Sequence, residues 1–232
     1  MLFYEYISEY NIRLNTLDYI EIVLWIISIL IMAILGIKFF LLSKSLNKNA
    51  KYIGAFFFWF IAGRICRLTA KFVIGYEYGF FEFTRILLVL AILYTLTTYI
   101  GLFFIYLFIE REILKKTHYL FSILVIVATV LSIINYSYPA IMFILTPLYA
   151  VVLLGLPIIF LNLARQTSGS IRKNALIVAI GIILFELGVA FDVPEAAIYW
   201  IAVPGLPEFT KFASPGFQII GSLMIYRGFP KQ

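Results

Sequence analysis

The sequence predicts an all-α, polytopic membrane protein of seven transmembrane helices. Three observations predict it: an excess of apolar residues, their division into seven long runs, and a one-sided placement of Lys and Arg. Of 232 residues, 63% are hydrophobic and 13% charged, with mean hydropathy +1.03, whereas a soluble domain is about 45–50% apolar and about 25% charged. Such a chain has too little polar surface to face water on all sides. A spanning helix needs roughly 20 mostly apolar residues, so residues 1–232 form one transmembrane domain with short connections and no room for an appended catalytic domain.

Apolar stretches bounded by charged or turn residues place helices at about 18–43, 51–74, 83–109, 117–136, 139–164, 173–193 and 207–227. One set of helix ends carries Lys44, Lys48, Lys51, Arg111, Lys115, Lys116, Arg165, Arg172, Lys173, Arg227 and Lys231. The opposite loops carry only Arg13, with acids such as Glu77 and Glu195. The positive-inside rule then puts the N-terminus outside and the C-terminus in the cytoplasm of a multi-pass protein integral to the cell membrane. Tyr76, Tyr78, Tyr136, Tyr138, Tyr199 and Trp200 gather at the outer ends, where amphipathic rings favour the headgroup level. The segment Met1–Tyr10, with Glu5 and Glu9, lacks the cationic start of a signal peptide, so the first span is expected to stay in the mature protein.

Composition also removes functions. One cysteine, Cys66, and one histidine, His118, are too few for a bis-histidine haem, a Cys/His zinc site or a disulfide framework. No cofactor and no metal is expected, and no catalytic set can be assembled. The formal charge of +6 resides in short inter-helix loops, where it reports topology rather than nucleic-acid binding.

Two loop segments match: Ser43-Lys44-Ser45-Leu46-Asn47-Lys48-Asn49-Ala50 and Ser168-Gly169-Ser170-Ile171-Arg172-Lys173-Asn174-Ala175 are identical at five of eight positions. Glu82-Phe83-Thr84-Arg85 recurs as Glu208-Phe209-Thr210-Lys211 with the offset changed by one residue. Residues 18–109 thus read as a first three-helix repeat, 139–227 as a second, and 117–136 as the linker helix that keeps both pointing the same way. This is a parallel repeat about an axis along the membrane normal. A 3+1+3 plan with the N-terminus outside resembles the SWEET and PQ-loop transporters, and a similar duplication is suspected behind the microbial rhodopsins. The resemblance is one of architecture over the whole chain and implies transport or ligand binding inside the bundle. A retinal pigment would need a lysine in mid-membrane; Lys211 lies about 16 residues, roughly 24 Å, from Arg227, close to the outer surface.

Charges within spans carry the remaining signal, because each costs about 2.5–3.5 kcal/mol at mid-bilayer. Arg64, Arg67 and Lys71, spaced three and then four apart, share one face of the second helix. Glu186 in the sixth helix sits at the depth of Arg64, while Asp192 matches Arg67 and Lys71 and is the repeat counterpart of Arg67. Arg85, Lys211, Glu82, Glu208, Asp18 and Glu21 add charge at the outer ends. Ser214-Pro215-Gly216 is expected to bend or unwind the seventh helix and turn Gln218 into the same region, and Pro147 and Pro157 to break or bend the fifth. Gly54, Gly63, Gly181 and Gly188 are expected to permit close helix approach. Two readings follow: ion pairs that tie the triplets together, or an outer polar cavity for a small anionic solute, with Arg supplying a bidentate fork. The functional expectation is a non-enzymatic membrane carrier or ligand-binding protein; the alternatives are an accessory subunit bound to other membrane subunits, or a receptor-like sensor. Expected partners are membrane lipid, a small anionic solute and other membrane subunits, with no nucleic acid.

Overall fold

The computed structural model describes residues 16–45, 47–73, 85–115, 117–135, 142–192 and 206–229. The aromatic belt of Tyr76, Tyr78, Tyr136, Tyr138, Tyr199 and Trp200, together with Arg13, Glu77, Glu82, Lys116, Glu195 and Lys231, lies outside these. The described residues are all-helical: α1 (Thr16–Ser45), α2 (Ala50–Leu68), α3 (Arg85–Glu112), α4 (Leu120–Asn135), α5 (Met142–Gln166), α6 (Gly169–Asp192) and α7 (Leu206–Gly228). A π-helical turn, Thr69–Val73, continues α2.

Five helices are long and apolar enough to cross a membrane: Thr16–Lys44, Ala50–Phe72, Leu88–Glu112, Pro147–Gln166 and Gly169–Asp192. The other two differ for separate reasons. α4 has 16 helical residues, about 24 Å against a hydrocarbon thickness of about 30 Å. α7 has 23 residues but interrupts its apolar run with Glu208, Lys211, Ser214, Gln218, Ser222 and Arg227. Four polar side chains of α7, Thr210, Ser214, Gln218 and Ser222, recur every four residues and are all buried, so its polar stripe faces the bundle.

The outer surface is the inverse. α1 buries Glu21, Trp25, Ser28, Met32, Leu35 and Phe39 and exposes Val23, Ile27, Leu30, Ile34, Ile37 and Leu41. Ile123, Ile126, Val130 and Ile134 of α4 and Val151, Leu154 and Ile158 of α5 are likewise exposed. Hydrocarbon is the solvent such faces suit.

Successive helices run antiparallel. Gly54 of α2 approaches Gly36 and Phe40 of α1, Arg111 near the end of α3 donates to the Tyr52 hydroxyl near the start of α2 (2.6 Å), and Gly188 of α6 meets Ser214 and Gln218 of α7. α1 and α7 lie side by side in the same direction, with Asp18 against Lys211 at one end and Phe39 against Tyr226 at the other. Since apolar contact gains little over lipid, close backbone approach holds such helices together. The α6–α7 seam is the tightest case: a Cβ on Gly221 would lie 2.6 Å from the Gly181 carbonyl oxygen, and one on Gly188 2.7 Å from the Ser214 carbonyl oxygen. Gly54, Gly63, Gly181 and Gly188 all sit at such approaches, Gly63 against Thr97 and Thr98.

The prolines act less than their chemistry predicts. α5 continues through Pro147 and Pro157, and α7 through Pro215, so neither helix breaks and Ser214-Pro215-Gly216 does not unwind. Packing against α6 holds this part of α7, where the Ser214 hydroxyl donates to the Gly188 carbonyl (2.6 Å). Only Thr167 and Ser168 separate α5 from α6, because Gly169 adopts the left-handed backbone (φ +63°) that opens α6.

Candidate functional site

Three cations on one face of α2 meet acids from α1 and α6. Arg64, Arg67 and Lys71 are 1%, 6% and 7% exposed, so the face predicted by their spacing is turned fully inward. The Arg64 guanidinium donates through Nη1 to Asp192 Oδ2, and its carbon lies 5.2, 4.7 and 5.6 Å from the ring centres of Trp25, Phe60 and Tyr94. Cation–π attraction is worth most when the cation is desolvated, as here. Arg67 reaches the same residue, with Nη2 3.5 Å from the Asp192 carbonyl oxygen and Nε 3.9 Å from Oδ1. The π-helical turn carries Lys71, whose Nζ donates to Glu21 Oε1 at 2.6 Å; the Trp25 indole donates to the same oxygen at 3.3 Å. Lys211 of α7 donates to Asp18 Oδ1 of α1 at 2.6 Å, nearer the rim.

The pairing differs from the one depth alone suggests. Arg64 and Glu186 stand equally far along their helices, yet the partner of Arg64 is Asp192. Six residues on a helix turn a side chain through about 600°, leaving Glu186 on a different face from Asp192. A long arginine climbs toward the helix end to meet its acid. Glu186 joins none of the ion pairs among the described residues, and its Oε1 is buried without a hydrogen-bond partner. Arg85 opens α3, but its side chain lies outside the described residues.

Among the described residues the cations Arg64, Arg67, Lys71 and Lys211 pair with three carboxylates, Asp18, Glu21 and Asp192. Two donors of Arg64, Nε and Nη2, are buried without hydrogen-bond partners. They lie on the same edge of the guanidinium, the edge that grips carboxylate or phosphate with two parallel hydrogen bonds. One turn below Ser214, Gln218 is fully buried with neither amide atom bonded, and Ser28 and Ser222 are equally buried with unbonded hydroxyls. The hollow bounded by Glu21, Arg67, Lys71, Phe191, Asp192, Thr210 and Lys211 holds about one water molecule. Among the described residues the outer polar region is thus a charge network around this small hollow, the first of the two arrangements expected from the sequence.

Toward the Lys/Arg-rich end the interior changes to aromatic rings. Phe185 stacks 4.6 Å from Phe60 and 5.5 Å from Phe56, and Phe229, just after α7, gathers Phe39, Phe108 and Phe160 at 5.6, 5.4 and 6.3 Å. No polar route crosses this layer among the described residues.

Two features were missed in the sequence. The first is the α1–α2 pairing: Asp18, Glu21 and Trp25 repeat on α1 the spacing of three and four seen in Arg64, Arg67 and Lys71, and Glu21 meets Lys71 while Trp25 meets Arg64. The second is Glu110 near the end of α3. It is 4% exposed and accepts the backbone N–H groups of Phe121 (2.8 Å) and Ser122 (3.2 Å) with the hydroxyls of Ser122 and Thr117, so a carboxylate from one helix caps the next. It fastens the turn in which His118 and Tyr119 take positive φ values of 48° and 63°.

Among the described residues no group of three or more His, Cys, Asp or Glu could hold a metal ion. Comparison with known proteins finds no matching family model, no matching curated protein and no matching solved structure.

Proposed function

We propose that the chain is a non-enzymatic seven-helix carrier or ligand-binding protein of the cell membrane, taking a small solute with an anionic group at Arg64, Arg67 and Lys71, with Lys211 and Gln218 beside them. One observation carries the reading: the Nε/Nη2 edge of Arg64, buried without hydrogen-bond partners beside Asp192 and Arg67. Burying an arginine with the N–H groups of two of its three nitrogens unbonded is costly, and a carboxylate or phosphate on that edge would remove the cost. Conduction needs the network to loosen, since the hollow holds about one water and the aromatic layer seals the far side.

The proposed frame is a parallel 3+1+3 repeat with the N-terminus outside and the C-terminus cytoplasmic. Support comes from contacts between repeat counterparts. Arg67 and Asp192 are 125 residues apart, the offset of the matched loops, and they pair. Phe60 and Phe185 share that offset and their rings touch. Residues exchanged by a two-fold axis meet each other only beside that axis, so the axis passes between α2 and α6. Gly63 and Gly188 share the offset too, and each admits the helix that follows in its triplet.

A second reading, an accessory subunit of a larger membrane complex, is favoured by the small hollow, because a purely structural network needs no space. Purified protein reconstituted alone in liposomes separates the two. The carrier reading predicts uptake of small carboxylates or phosphate, lost in Arg64→Lys, which keeps the charge but not the fork. No uptake and no binding, together with stable co-purification of other subunits, would decide for the accessory role.

A further inference from the structure

Between the ends of α3 and α5, at the Lys/Arg-rich end, lies a groove of about 480 Å³ unrelated to the charge network. Its floor is aliphatic: Ile113 and Leu114 just after α3, and Ile158, Ile159, Leu161 and Leu163 from α5. Its rim is polar: Asn162, Arg165 and Gln166, all exposed, the Gln166 amide donating to Asn162 Oδ1 at 3.3 Å. Ile158 and Arg165 lie seven residues, about 10 Å, apart along α5, so the groove runs from a headgroup-level cation into the depth of a membrane-spanning helix.

We propose that this groove binds one phospholipid with an anionic headgroup, an acyl chain lying over Ile158 and Leu161 and the phosphate held by Arg165 with Asn162 and Gln166. An empty aliphatic groove facing hydrocarbon forfeits its dispersion contacts, so a chain fills it. Charge selects the headgroup. Arg165 forms no ion pair among the described residues, and exposed Lys115 follows directly on Leu114 at the facing edge. The nearby acids are engaged elsewhere: Glu110 caps α4, and Glu112 accepts from the Asn49 amide. Among the described residues no ion pair neutralises this rim.

The test uses full-length protein in nanodiscs of equal parts phosphatidylcholine and phosphatidylglycerol, with retained lipid counted by native mass spectrometry after release. Wild type is expected to retain phosphatidylglycerol over phosphatidylcholine at a ratio of about five to one, the scale of one basic side chain at an anionic surface. Arg165→Gln should keep one lipid but lose the preference. Leu161→Trp, which fills the groove from an exposed position, should retain neither lipid, and unchanged helicity and melting midpoint would verify that both variants fold. Retention at the supplied ratio in wild type, an undiminished preference in Arg165→Gln, or full retention in Leu161→Trp would each overturn the proposal.

Discussion

The two halves of the bundle interior are built from opposite materials. Above the level of Phe60, helices α1, α2, α6 and α7 meet through Asp18, Glu21, Arg64, Arg67, Lys71, Asp192 and Lys211; below it they meet through Phe39, Phe56, Phe57, Phe185 and Phe229. Arg64 spans the boundary, with Phe60 against its guanidinium and Asp192 at its tip. Each kind of contact is worth most in a different place. In hydrocarbon, aromatic packing gains little over lipid, whereas a charge with no partner is expensive, so the upper half specifies which helices meet and the lower half seals them.

Removing one charge should therefore cost more than removing one ring. Asp192→Ala leaves Arg64 buried without its acid and is expected to destabilise the protein by about 3–5 kcal/mol, read from unfolding in detergent micelles. Phe185→Ala, in the aromatic layer, should cost roughly 3 kcal/mol or less, because lipid or neighbouring rings can partly fill the space. Equal losses would mean that the halves are not energetically distinct. Glu110→Gln removes the charged cap of α4 and should cost about 1–3 kcal/mol, seen as a lower melting midpoint with earlier proteolysis in the 115–120 turn. Smallest is Lys211→Met: its pair with Asp18 sits at the rim, 13% and 14% exposed, and about 1 kcal/mol is expected.

Much of the fold was legible because apolar run length is a strong signal. The expected helix limits and the observed ones agree within a few residues, even for α7, whose polar stripe keeps it from qualifying as a span on apolarity. The inward turn of Arg64, Arg67 and Lys71 was legible too, since no charged face suits lipid. What stayed hidden depends on rotation and reach. Depth matched Arg64 to Glu186, but the angular position of each side chain gave the bond to Asp192. The π-helical turn at Thr69–Val73 has no composition cue, although it carries Lys71. Glu110 caps a helix that begins ten residues later through a turn of unusual backbone angles, and no helical period reports such a contact. Pro215 shows the converse: its chemistry argues for an unwound turn, yet α7 is continuous there, packed against α6.

The central claim is that Arg64 and Asp192 join α2 to α6. A double-mutant cycle with Arg64→Met and Asp192→Leu tests it most directly. The predicted coupling is about 3 kcal/mol, near the upper end for residues in direct contact, with almost none between Arg64→Met and Glu186→Gln. Strong coupling of Arg64 to Glu186 and none to Asp192 would contradict it.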